Sequence, residues 1–167
     1  PARSSGWMVI RLLFFYYIIA SIFRYFSNSK YSTDYFLIPL VRVQLYIIYF
    51  MSSISKLTGS SWRDGSAIKY ALQNPNYSVV NDYVSSIPEV LLTISTIVVV
   101  AYQFSFPLTL FAKKIRKYYV YFGFLFHFMI LLTFGLKTFF IAMVITLVSL
   151  ICPWSDESHS KEEHSRS

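Results

Sequence analysis

A basic side chain, an aromatic ring and a carboxylate occur within nine residues of this sequence, at Lys56, Trp62 and Asp64. They belong to a compact run of polar and turn residues that follows a strongly apolar stretch. A lysine can act as a general base near neutral pH where burial favours its uncharged form. Trp62 and Asp64 would then supply an aromatic wall and a counter-ion. Lys56 is therefore the first residue to which we assign a chemical role.

The helix predicted over residues 36–56 carries a polar stripe that leads to Lys56. Its members are Arg42, Tyr46, Tyr49, Ser53 and Lys56, which are spaced by four, three, four and three residues. At about 3.6 residues per turn, this spacing places the side chains on one face of a helix. Polar groups that face hydrocarbon are costly unless they have partners. We therefore predict that this face lines a protein interior or a wet cavity.

Two further polar side chains, Gln103 and His127, interrupt apolar runs. Gly123 lies four residues before His127, and small residues let another helix approach closely, so we expect His127 to pack against a neighbouring helix. The polar faces could together enclose one site. The simpler interpretation is an ordinary helix–helix hydrogen bond, which we favour for Gln103. For Arg42 we favour snorkelling of the side chain towards the head groups.

The composition places the chain in a membrane. Hydrophobic residues make up 55% of the sequence and charged residues only 14%, whereas soluble domains carry roughly 25% charged residues. The net charge of +7 does not indicate nucleic-acid binding, because the basic residues are scattered at the ends of apolar runs. The exception is the cluster at residues 113–117, which is typical of a cytoplasmic anchor.

Cysteine and histidine usage points away from redox and metal chemistry. Cys152 is the only cysteine, which excludes an internal disulfide, a CxxC pair and a cysteine zinc site. His159 and His164 stand among carboxylates near the C-terminus, and we interpret this segment as a solvated tail and predict no metal site.

Five apolar stretches predict an all-α, polytopic transmembrane helical bundle, since a span needs roughly 20 residues. They cover residues 7–26, 36–56, 88–112, 118–136 and 138–153, and the last of them is short. Pro107 lies in the third stretch and should kink its helix. The basic clusters predict that loop 57–87 is extracellular and that 113–117 and the tail are cytoplasmic. Residues 64–72 predict a short outer-loop helix ended by Pro75.

The same positions suggest three parts of the chain. We expect a first transmembrane helix and cytoplasmic loop over residues 1–35, a membrane domain over 36–154 and a disordered polar tail over 155–167. Because the sequence begins at Pro1 without an initiator methionine, we expect a fragment or a processed product with some N-terminal sequence missing.

Three strings carry a family resemblance: Arg42-Val43-Gln44-Leu45, Ser53-Ile54-Ser55-Lys56-Leu57 and Trp62-Arg63-Asp64-Gly65-Ser66-Ala67. Together they resemble the HTTM membrane domain, whose superfamily includes vitamin K-dependent γ-carboxylase. The spacing of the lysine and tryptophan, followed by x-Asp-Gly-Ser-Ala, is most similar to the bacterial SdpB family. Members of that family help to produce sporulation-delaying peptide toxins. The resemblance runs over about residues 40–154.

The resemblance implies roles for two residues. Lys56 occupies the position of the carboxylase lysine that deprotonates vitamin K hydroquinone, and His127 falls where the carboxylase has a functional histidine on a later helix. The sequence lacks the large soluble region by which carboxylases engage protein substrates. We therefore do not expect vitamin K, CO2 or glutamate carboxylation here, and the cofactor remains open.

We predict an integral membrane protein similar to SdpB that supports production or maturation of a secreted bacterial peptide toxin. Lys56 and His127 are the candidate catalytic residues. The candidate pocket residues are Trp62, Asp64, Gly65, Arg42, Tyr49 and Gln103. The alternative is a non-enzymatic immunity or chaperone protein that binds the toxin, so the sequence leaves open whether the protein is an enzyme. The expected partners are the lipid bilayer, a toxin precursor and other maturation proteins, and not nucleic acid.

Overall fold

A computed structural model describes residues 3–26 and 33–151, with side chains described over 7–26 and 37–151. These residues form seven α-helices and two 3₁₀ helices, and no strand occurs among them. The α-helices are α1 (Arg3–Phe26), α2 (Thr33–Thr58), α3 (Ser60–Arg63), α4 (Ala67–Gln73), α5 (Glu89–Ser105), α6 (Lys113–Phe134) and α7 (Lys137–Val148). The 3₁₀ helices are Asn81–Ser86 and Phe106–Leu110. The predicted all-α bundle is thus confirmed.

Four helical segments are long and apolar enough to cross a membrane. They are Trp7–Phe26, Leu37–Thr58, Glu89–Leu110 and Lys113–Phe134. The fifth apolar helix, α7, has 12 residues and is about 18 Å long, which is shorter than the roughly 30 Å hydrocarbon core. It ends at Val148 rather than at residue 153 as predicted, and residues 152–167 lie outside the described part of the chain.

Helix α2 is the centre of the bundle and packs against α1, α5 and α7, while α6 packs against α7. Its two faces differ as the polar stripe predicts. Tyr46, Tyr49 and Ser53 are buried, whereas Val43 and Ile47 on the other face are half exposed. The polar face of α2 therefore lies inside the protein and the apolar face is left for lipid.

Pro107 interrupts the third span, but as an end of the α-helix rather than as a kink in it. Proline has no N–H to donate and clashes with the preceding turn, so α5 stops at Ser105 and a 3₁₀ helix follows. A neighbouring helix satisfies the end of that 3₁₀ segment. Arg116 of α6 donates from Nε and Nη2 to the Thr109 carbonyl, at 3.3 and 3.2 Å.

The segment between α2 and α5 is folded back over one end of the bundle. The short helix predicted over residues 64–72 is confirmed as α4, whereas the side of the membrane on which it lies stays a prediction. The Ile68 amide donates to Thr96 Oγ1 at 3.3 Å, which ties α4 to α5. The Val79 amide donates to the Thr133 carbonyl at 2.9 Å, which ties the following loop to the end of α6. We call this end, where α2 and α6 finish and α5 begins, the loop end.

Candidate functional site

The Lys56 amine lies at the junction of three helices at the loop end. Lys56 is in the last turn of α2, and its Nζ donates to Ser52 Oγ, one turn earlier, at 2.6 Å. Ser52 Oγ in turn donates to Gln103 Oε1 of α5 at 3.2 Å. On another side, Nζ lies 5.0 Å from the centroid of the Trp62 ring in α3, within cation–π range. Lys56 and Trp62 are both half-buried.

Asp64 does not serve as the counter-ion that the sequence suggested. Its Oδ1 accepts hydrogen bonds from the Ser66 amide at 2.9 Å and from the Ser66 hydroxyl at 2.5 Å. These bonds hold the pKa of the exposed Asp64 carboxyl below its ordinary value. In the part of the chain that the structure describes, the ion pair is Lys69 with Glu89, at 2.7 Å. The expected pairing of Lys56 with Asp64 was wrong because a local turn takes the carboxylate.

Gly65 is buried where this turn meets α5. Its φ is +83°, a conformation that glycine adopts without strain. A Cβ at this position would lie 2.6 Å from Thr93 Cγ2. Gly65 therefore lets the turn between α3 and α4 approach α5 closely.

A second polar group lies deeper in the bundle. Tyr49 lies seven residues before Lys56, which is about 10 Å along α2. Its hydroxyl is 2.8 Å from His127 Nε2 of α6. The Tyr102 hydroxyl of α5 lies 3.5 Å from that of Tyr49 and 3.1 Å from the Tyr119 carbonyl. His127 is only 2% exposed, and no residue in the described part of the chain makes a hydrogen bond with its Nδ1.

Gly123 makes room for this group, as the sequence suggested for the His127 face. A Cβ on Gly123 would collide with the Tyr102 hydroxyl and would lie 3.1 Å from the Leu147 methyl groups. The absence of a side chain therefore lets α5 and α7 approach α6 at the level of Tyr102.

Arg42 lies far from the Lys56 amine. Fourteen residues separate the two along α2, which is about 21 Å. The Arg42 Nε donates to the carbonyl of Ser149, the C-cap residue that follows α7, at 2.8 Å. A cation at a helix C-terminus satisfies carbonyls that the helix leaves unpaired. Arg42 therefore has a partner within the protein, in addition to any reach towards the head groups that we expected of it.

The predicted site residues thus fall into separate places. Lys56 contacts Trp62 directly and is linked to Gln103 through Ser52. Tyr49 and His127 meet deeper in the bundle, and Arg42 lies about 21 Å from Lys56 along α2. Sequence reasoning missed Ser52, although its position one turn before Lys56 signals a contact on the same helix face. It also missed Tyr102, for which the sequence offers no comparable signal. Among the described residues, no three His, Cys, Asp or Glu side chains cluster so as to hold a metal ion.

The apolar spans and the buried polar face of α2 define a multi-pass helical membrane protein. Within that class the family is shown by comparison. The family model of the HTTM domain matches residues 17–155, and the chain belongs to this family. Comparison of this chain with the curated proteins and with the solved structures gave no match.

Proposed function

We propose that this HTTM-family protein supports the production or maturation of a secreted bacterial peptide toxin, as SdpB proteins do, through a site around Lys56. The family match includes the lysine and tryptophan block on which the likeness to SdpB depends. The observation that carries the proposal is the setting of the amine. Lys56 Nζ is held by a hydroxyl and an indole ring, and no carboxylate of the described residues is paired with it.

Such an amine can serve a peptide substrate in two ways. As an ammonium group it binds a carboxylate of the peptide, and as a neutral amine it accepts a proton from a reacting group. Either role requires only that the peptide reach the junction of α2, α3 and α5. We propose that this end, with loop 57–87, faces outward, because the basic residues 113–117 lie at the other end of α6. The site would then be open to a secreted peptide.

The experiment that tests the proposal is replacement of Lys56 in a toxin-producing strain. Lys56→Ala should abolish mature toxin, whereas Lys69→Ala should leave it unchanged. Lys69 is a suitable control because it is at the same end of the molecule but is paired with Glu89. Both variants must be present in the membrane at the parent level. Undiminished toxin from Lys56→Ala would remove this amine from the function.

A second candidate function is non-enzymatic binding of the toxin, as an immunity protein or a chaperone. The observation that favours it is that the intramembrane polar residues bond mainly to each other. Gln103 receives its bond from Ser52, and His127 shares its bond with Tyr49, as expected for groups that hold helices together.

Lys56→Arg separates a proton-accepting role of the amine from an anion-binding role, because arginine keeps the positive charge but does not lose its proton near neutral pH. If Lys56 acts as a base, the arginine variant should fail as completely as Lys56→Ala. If Lys56 binds an anionic group, the arginine variant should retain a substantial part of the parent's toxin-related function.

A further inference from the structure

Among the residues whose side chains are described, the carboxylates lie at one end of the protein and the basic cluster of residues 113–117 lies at the other. Three carboxylates with described side chains, Asp64, Asp82 and Glu89, lie at the loop end. Helix α5 and its 3₁₀ extension, Glu89–Leu110, then run about 35 Å to the opposite end. At that end lie the four cations of the basic cluster, Lys113, Lys114, Arg116 and Lys117. Among the residues whose side chains are described, no carboxylate accompanies these cations.

Three of these cations form one exposed surface at the start of α6. Lys113, Lys114 and Lys117 are exposed, and we call them the basic patch. Arg116 does not belong to it, because its guanidinium group is turned to the Thr109 carbonyl. The carboxylates at the loop end are several Debye lengths away, since the Debye length is about 8 Å at physiological salt. The charge of the patch is therefore not neutralised by them.

Exposed apolar side chains flank the basic patch on both sides. Phe111, just before it, is 87% exposed, and Tyr118, just after it, is 63% exposed. The Lys117 Nζ lies 5.0 Å from the centroid of the Tyr118 ring. Aromatic rings beside flexible ammonium groups are typical of the boundary between acyl chains and head groups.

We propose that the basic patch is a binding surface for the phosphate-bearing head groups of anionic phospholipids. The apolar rings of Phe111 and Tyr118 lie against the acyl chains, and the lysines reach the phosphates above them. Lysine suits this partner because it is a point charge on a flexible stem and needs no fixed geometry. Each lysine near an anionic membrane surface contributes about fivefold to binding. This inference does not depend on the function proposed for Lys56.

The test is thermal unfolding of the purified protein in neutral detergent, titrated with phosphatidylglycerol or phosphatidylcholine. A ligand that binds the native state raises the midpoint temperature of unfolding, and at equal concentration a tighter ligand raises it more. We expect phosphatidylglycerol to bind at least about tenfold more tightly than phosphatidylcholine, and this preference to shrink at high salt. Replacement of all three patch lysines by glutamine should abolish most of the preference, and replacement by arginine should preserve it.

A matched variant removes three cations from the loop end instead: Arg63→Gln, Lys69→Gln and Lys137→Gln. It should keep the preference of the parent for phosphatidylglycerol. The proposal is overturned if the parent binds both lipids equally, or if the loop-end variant loses as much preference as the patch variant. It is also overturned if inorganic phosphate alone raises the midpoint as much as the anionic lipid does, because the patch would then be a general anion site.

Discussion

Removing a single hydroxyl, with Tyr49→Phe, tests whether the deep polar group holds the bundle together. The ring of Tyr49 is stacked on Phe106 with centroids 4.0 Å apart, and a phenylalanine keeps that contact. What is lost is the hydroxyl that lies 2.8 Å from His127 Nε2. Since His127 Nδ1 already has no partner among the described residues, the substitution leaves both ring nitrogens of a buried histidine without a hydrogen bond from them.

The expected cost follows from these two effects. A helix–helix hydrogen bond in a membrane protein contributes about 0.6 kcal/mol on average and at most about 1.7 kcal/mol. A buried polar atom left without a partner adds about 1–3 kcal/mol. Because the two figures overlap in what they count, we expect Tyr49→Phe to lower the free energy of unfolding by about 1–3 kcal/mol.

The assay is reversible unfolding of the purified protein in mixed micelles. The matched control is Tyr121→Phe on α6, whose side chain is 71% exposed and whose loss of a hydroxyl should change little. In a His127→Leu background, Tyr49→Phe should cost much less than in the parent, because the partner is already gone. The reasoning is refuted if Tyr49→Phe costs no more than Tyr121→Phe, or if its cost is the same in both backgrounds.

Three further predictions concern close approaches and the loop turn. Gly123→Ala should destabilise the protein by about 1–3 kcal/mol in the same assay, because its Cβ would collide with an α5 tyrosine hydroxyl. Gly65→Ala should also destabilise, through its φ of +83° and its contact with Thr93, and Thr93→Ser should restore part of the loss. An NMR titration should place the pKa of the Asp64 carboxyl below that of a free aspartate, since Ser66 donates two hydrogen bonds to it. The stability that the Asp64 carboxylate gives to the turn should therefore be present at neutral pH and be lost as the pH falls through that pKa.

The periodicity of the sequence was sufficient to predict the helices and the buried face of α2. Polar residues at helical spacing on an apolar helix have few other stable places. Periodicity did not reveal the partner at the end of α7, because the Ser149 carbonyl accepts a hydrogen bond from Arg42, more than one hundred residues earlier in the chain. The last carbonyls of a helix need donors from outside its own hydrogen-bond ladder, and periodicity does not identify those donors.

The partners of the site residues were harder to predict. The spacing of Lys56 and Asp64 allows an ion pair, but it equally allows the local turn in which Asp64 accepts from Ser66. Short polar side chains often prefer such bonds to their own backbone. The meeting of Tyr49 and Tyr102 depends on the relative depth of α2 and α5, which a single sequence does not reveal.

The claim on which the account of function depends is that the Lys56 amine is held between Ser52 and the Trp62 indole. The most direct measurement is the NMR spectrum of protein labelled with ¹³C at its lysines, with the Lys56 signals assigned by their loss in Lys56→Arg. The account predicts that the Lys56 Cε proton signals are shifted by the ring current of the indole, and that Trp62→Leu returns them to the position of the other lysines. Lys56 signals that already coincide with those of exposed lysines in the parent protein would contradict it.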